Sequence, residues 1–146
     1  MKLLLIFTFL ILETAHCSEL SFSQIRLRKV DRHRTAKLGY TITSDGCVIE
    51  LGEFDKTPDI KKRSPLMCDF INQILVEYLS QKKFQQDYSL PGNFNSIFEL
   101  EVTKKINGKD KSWKIRVPSR LRSNHKSITY SVHEVYNLLN KKFLPY

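Results

Sequence analysis

Glycine and proline are scarce, five of each in 146 residues, and no low-complexity stretch interrupts the chain. That composition excludes a flexible linker or a disordered tail and calls for a packed fold. Several chemistries are missing as well. There is no Gly-x-Ser-x-Gly elbow, no glycine-rich phosphate loop and no His-Glu-x-x-His helix, which removes the common hydrolase, nucleotide-binding and zinc-protease templates. No cysteine and histidine cluster has zinc spacing, so no metal or other cofactor is expected. No Asn-x-Ser/Thr acceptor occurs, and no period of 20 to 50 residues marks a repeat.

Only one long apolar run is present, residues 3–12, behind Met1 and Lys2 and followed by Ala15, His16 and Cys17. A short positive start, an apolar stretch and small residues before a cut form a secretory signal peptide over residues 1–17. The run is about half of the ~20 residues that a bilayer-spanning helix needs. A secreted or periplasmic chain is therefore expected, one domain over 18–146. Lys2 and Glu13 cancel, so the net charge of +9 belongs to the mature part. Such a charge draws a protein toward acidic partners without choosing among them.

Cys47 and Cys68 survive maturation. An even pair in an exported chain predicts a disulfide, with two separately buried thiols as the alternative.

The clearest local pattern is two alternating runs about Asn107-Gly108. Counting outward pairs Val102 with Trp113, Leu100 with Ile115 and Phe98 with Val117 on one face. The same register sets Glu101 against Lys114 and Glu99 against Arg116 on the other. Around Asp45-Gly46 a second hairpin pairs Ile42 with Ile49 and Tyr40 with Leu51, with Thr41 facing Glu50. Ile25 and Leu27 alternate with Arg26 and Arg28 in a third strand of that group. Phe22 is out of phase with Ile25, which implies a bulge or a different strand start.

Ser64-Pro65 opens a helix whose apolar stripe is Leu66, Met67, Phe70, Ile71, Ile74, Leu75, Tyr78 and Leu79. Lys61, Lys62 and Arg63 read as a charged linker before it, and residues 88–95, with Pro91 and Gly92, as a loop after it. The last helix is expected to start at a capping box, Ser131-Val132-His133-Glu134, with Tyr130 stapled onto Val135. Its buried stripe is Val135, Leu138, Leu139 and Phe143. The fold class is α+β: a twisted antiparallel sheet in the order β-β-β-α-β-β-α, with two helices packed on one face.

Three functional readings follow. In the first, a non-enzymatic binding protein presents loops to a protein partner or an acidic surface. The order of strands, helix, hairpin and final helix resembles that of the emfourin-type metalloprotease inhibitors. Their Gly-Gly-Phe loop is absent, since residues 30–38 read Val-Asp-Arg-His-Arg-Thr-Ala-Lys-Leu, so no inhibitory residue transfers. In the second, two basic runs converge on a polyanion such as a glycan, a lipid phosphate or a nucleic acid. Arg32, His33, Arg34 and Lys37 form one run, and Arg120, Arg122, His125 and Lys126 the other. Outward strand positions carry no aromatic residue and three glutamates, which weakens a base-stacking sheet face. In the third, a small ribonuclease uses a pair from His33, His125 and His133 as base and acid. Against it, His33 and His125 lie in predicted loops and His133 in the first turn of a helix, where a solvated ring is expected. The first reading is preferred, with a monomer as the expected state.

Overall fold

Turn residues fix the longer hairpin. Asn107 and Gly108 take positive φ, 52° and 75°, which the right-handed twist of the flanking strands requires of a two-residue connection. The computed structural model describes residues 20–33, 38–120 and 127–143. The expected signal peptide lies outside them.

Seven strands, β1 (Gln24–Asp31), β2 (Leu38–Thr43), β3 (Val48–Glu53), β4 (Ile60–Arg63), β5 (Tyr88–Ser89), β6 (Ser96–Ile106) and β7 (Lys109–Pro118), join two helices, α1 (Pro65–Leu79) and α2 (Ile128–Phe143). The sheet order is β4-β3-β2-β1-β6-β7-β5. Every expected pair is present: Phe98 with Val117, Leu100 with Ile115, Val102 with Trp113, Tyr40 with Leu51 and Ile42 with Ile49. β1 then joins the two groups, Arg26 facing Thr41 on one side and Glu101 on the other. The α+β architecture stands, with corrections in detail. Lys61, Lys62 and Arg63 are not a linker but most of edge strand β4, where charge guards an exposed edge. The loop expected over 88–95 begins with β5, whose parallel pairing with β7 makes the sheet mixed. Phe22 precedes the first strand and is buried, so the strand starts late and no bulge is needed.

Both helices cover the face that carries Ile25, Leu27, Tyr40, Ile42, Leu100, Val102 and Ile115, and they touch each other. Cys47 and Cys68 form the disulfide, their Cα atoms 6.0 Å apart, within the ordinary span of such bridges. The bridge also sets the roll of α1. With Cys68 turned inward beside Met67, Ile71, Leu75 and Leu79, the buried stripe is narrower than expected. Leu66 and Phe70 stay 65% and 45% exposed.

α2 begins one turn earlier than the capping box predicts. Ser127 Oγ accepts the Tyr130 N–H at 3.3 Å, which makes Ser127 the cap. Ser131 consequently lies inside the helix and is buried. The longer helix extends its apolar face through Ile128 and Val132, and that added burial favours the earlier start.

A candidate basic cleft at one end of the sheet

At the end of the sheet where β1 and β7 stop and β6 starts, the backbone closes on itself. Arg32 donates its N–H to the Asn95 carbonyl at 2.8 Å, and Ser119 donates to the Ser96 carbonyl at 3.0 Å. These two bonds carry the strand registers into the loops, so side chains of three segments open on one concavity of about 550 Å³. Lys29, Asp31, Arg32 and His33 line it from β1 and the turn beyond, Asn93, Phe94, Asn95 and Ser96 from the approach to β6, and Ser119 and Arg120 from the end of β7.

Arg32 and Arg120 thus come from the two separate basic runs and line one cleft. His33 joins them, while Arg34, Lys37, Arg122, His125 and Lys126 lie outside the described residues. Among the described residues no salt bridge engages Lys29, Arg32 or Arg120. Arg32 Nη1 is steadied instead by Asn93 Oδ1 at 3.4 Å, a long and weak bond. Three cations and one carboxylate, that of Asp31, therefore face a partly enclosed space, where fields act more strongly than over open water.

The loop residues of this cleft carry no periodic signal, which is why sequence patterns pass over them. The informative feature is Phe94 set between two asparagines just after Gly92. Gly92 has a φ of 143°, and a Cβ there would meet the Phe94 ring at 2.7 Å. Glycine is needed to let that ring lie against the backbone.

α2 packs against the strands that lead into the cleft. The His133 ring stands edge-on to Phe98, with centroids 4.7 Å apart, and its Nε2 lies 3.1 Å from the Pro118 carbonyl. A solvated first-turn ring is thus not what the fold makes of it. Burial pulls its pKa down, the Pro118 hydrogen bond works the other way, and the charge of Lys29 adds to the depression. His133 and His33 line different cavities. Among the described residues, no two histidines share a cleft as an acid–base pair would.

The outer face of the sheet is a separate charged region. Glu99 lies directly between Arg28 and Arg116 across three strands. It accepts from Arg28 Nη2 at 2.8 Å and from Arg116 Nε at 3.1 Å, with Lys114 Nζ 3.8 Å away. Lys114 therefore pairs with Glu99 and not with Glu101, which faces it directly. Burial alone would push the Glu99 carboxyl up, but the two arginine hydrogen bonds and the charges of Arg28 and Lys114 outweigh it and hold the carboxyl below its usual range. Arg26 pairs with Asp55 at 2.6 Å, and Lys61 with Glu50 at 3.0 Å. One aromatic does reach this face, although from no strand position. Phe54, beyond the end of β3, lies under the guanidinium groups of Arg26 and Arg28 at 5.4 and 5.3 Å. Gly39 makes room for it, since a Cβ there would lie 2.6 Å from the ring. On this face Arg26, Arg28, Lys61, Lys114 and Arg116 are thus paired with carboxylates, and Phe54 lies under two of them.

Among the described residues no group of three or more His, Cys, Asp or Glu could hold a metal ion, and no helix is long and apolar enough to cross a membrane. Comparison with protein-family models, with curated proteins and with solved structures gives no match for this chain, so the topological resemblance to emfourin-type inhibitors brings it neither a residue nor an activity.

Proposed function

We propose that this chain is an exported, non-catalytic binding protein that receives a short acidic segment of a protein partner in the cleft at the end of the sheet. A single observation carries the reading: Arg32 and Arg120, far apart in sequence, line one concavity with Lys29, and no described carboxylate pairs with any of them. An arginine fork suits a carboxylate held bidentately. Asn93 and Asn95 add amide donors and acceptors for a peptide backbone, and Phe94 offers an apolar wall. That mixture fits a folded-in peptide segment better than a uniform polyanion, which gains most from an unbroken cationic track. The neighbouring outer sheet face supplies no such track, because Glu99, Glu50 and Asp55 interrupt it.

Fluorescent peptides rich in glutamate and phenylalanine serve as the probe, with heparin retention in a salt gradient as the comparison. Arg32→Ala with Arg120→Ala is expected to weaken peptide binding by about a hundred-fold, since each charge-assisted hydrogen bond contributes roughly ten-fold. Equal peptide affinity in the double variant overturns the reading. Late elution from heparin with no peptide binding overturns it in favour of a polyanion site. Hydrolysis of RNA that disappears in His33→Ala overturns the non-catalytic assignment.

A further inference from the structure

β6 outruns its neighbour at the opposite end of the sheet from the cleft. β1 accompanies it only as far as Gln24 opposite Thr103, with one more backbone bond from the Ser23 N–H to the Thr103 carbonyl. Among the described residues, 104–106 and 109–111 pair with each other alone. They form a two-stranded arm closed by the Asn107-Gly108 turn, and its residues from 105 outward are exposed.

The arm has two unlike faces. Lys104 faces Lys111 and Ile106 faces Lys109 on the side that nearer the core carries Val102 and Trp113. Lys105 faces Asp110 on the other side. One face therefore presents three lysines and an isoleucine with no acid among them. Among the described residues no salt bridge engages any of these lysines. Like charges directly opposite each other weaken a ladder, so the Lys104 and Lys111 pair is a cost to the free protein that a negative surface would relieve.

The residue types select the surface. The arm has no arginine, the side chain suited to bidentate contacts with single phosphates or sulfates. Lysine, a hydrated point charge on a flexible stem, suits a diffuse field of headgroups, where each contributes a factor of about five in affinity. Ile106, 38% exposed at the tip, gains by leaving water for the boundary between headgroups and acyl chains. A glycan or a nucleic acid gives it no comparable place. We propose that the arm at residues 104–111 docks the protein on an anionic lipid bilayer, its three lysines against the headgroups and Ile106 entering the interface.

The full chain is floated with vesicles of phosphatidylcholine alone and of phosphatidylcholine with phosphatidylglycerol, at low and high salt. Binding is expected on the anionic vesicles only, weakening as salt rises. Lys104→Gln, Lys109→Gln and Lys111→Gln together are expected to lower the partition constant by about a hundred-fold, as three factors of five imply. Ile106→Ser lowers it by about ten-fold. Lys111→Glu, set opposite Lys104, raises the melting temperature while it weakens vesicle binding, which separates docking from folding. The arm variants keep the acidic-peptide affinity of the cleft, so the two proposals stand or fall separately. Equal binding to neutral vesicles, undiminished binding by the triple lysine variant, or binding to heparin or duplex DNA with none to anionic vesicles overturns the proposal.

Discussion

Glu99→Gln tests the electrostatics of the outer sheet face most directly. The wild-type Glu99 side chain is 11% exposed and is held by Arg28 at 2.8 Å and Arg116 at 3.1 Å, with Lys114 at 3.8 Å. Two charge-assisted hydrogen bonds would contribute about 1.5–3 kcal/mol each if fully buried. The partner side chains are 30–44% exposed, so water takes over part of that when the carboxylate is neutralised. Glutamine can still accept one bond, but it removes the carboxylate that Arg28, Arg116 and Lys114 share. The expected loss is about 2 kcal/mol, or ~8 °C in Tm for a domain of this size. Urea and thermal unfolding at neutral pH measure it. The pH dependence supplies the second arm. The folded-state pKa of Glu99 is depressed, so its contribution is present above the unfolded carboxyl value of about 4.3 and is lost as the pH falls through the lower folded value. The gap between wild type and Glu99→Gln therefore narrows on acidification. A loss below about 0.5 kcal/mol would place the cluster with ordinary surface pairs. A gap unchanged by acidification would equally refute the argument.

Replacing Cys47 and Cys68 together by alanine opens a loop with a sequence separation of 21. The chain-entropy model then gives a loss of about 3 kcal/mol, checked by urea unfolding of the variant beside wild type without reductant. A loss under about 1 kcal/mol would show that the bridge constrains the unfolded chain little. His133 bears on acid stability near neutrality. Its folded pKa is depressed, so its contribution is present above the unfolded value of about 6.5 and is lost as the pH falls through the folded one. His133→Gln is expected to flatten the stability profile in that window, and a profile with the wild-type slope would exclude the burial of His133 beside Lys29 as its source.

Hairpin register was legible because two independent patterns converge on it. Apolar residues alternate along 98–102 and 113–117, and the charges between them pair in the same frame. Shifting either run by one residue would have turned Trp113 to solvent and Lys114 into the core. β4 was hidden because Ile60 is its only apolar residue and the rest, Lys61 to Arg63, carries the charge expected of a linker. At α2 two serines compete, and local capping chemistry alone prefers Ser131. Burial of Ile128 and Val132, a tertiary effect, decides for Ser127. The cleft was half legible. Arg32, His33 and Arg120 stand out as bases in loops without structural duty, whereas their meeting depends on β1 lying beside β6. Asn93, Phe94 and Asn95 offer no periodicity at all, and only Gly92 hints that a ring must be seated there.

The adjacency of β1 and β6 also governs the order in which the chain can assemble. Each hairpin closes over a handful of residues, but the Arg28 to Glu99 contact spans 71 positions. Loop-closure entropy makes that contact about 2 kcal/mol harder to initiate than a hairpin. The two hairpins are therefore able to form on their own, while the central seam must wait for two preformed halves to collide. Because the cleft is bounded by both halves, it comes into being only with that last collision, and a chain stalled before it would carry the basic residues without the site.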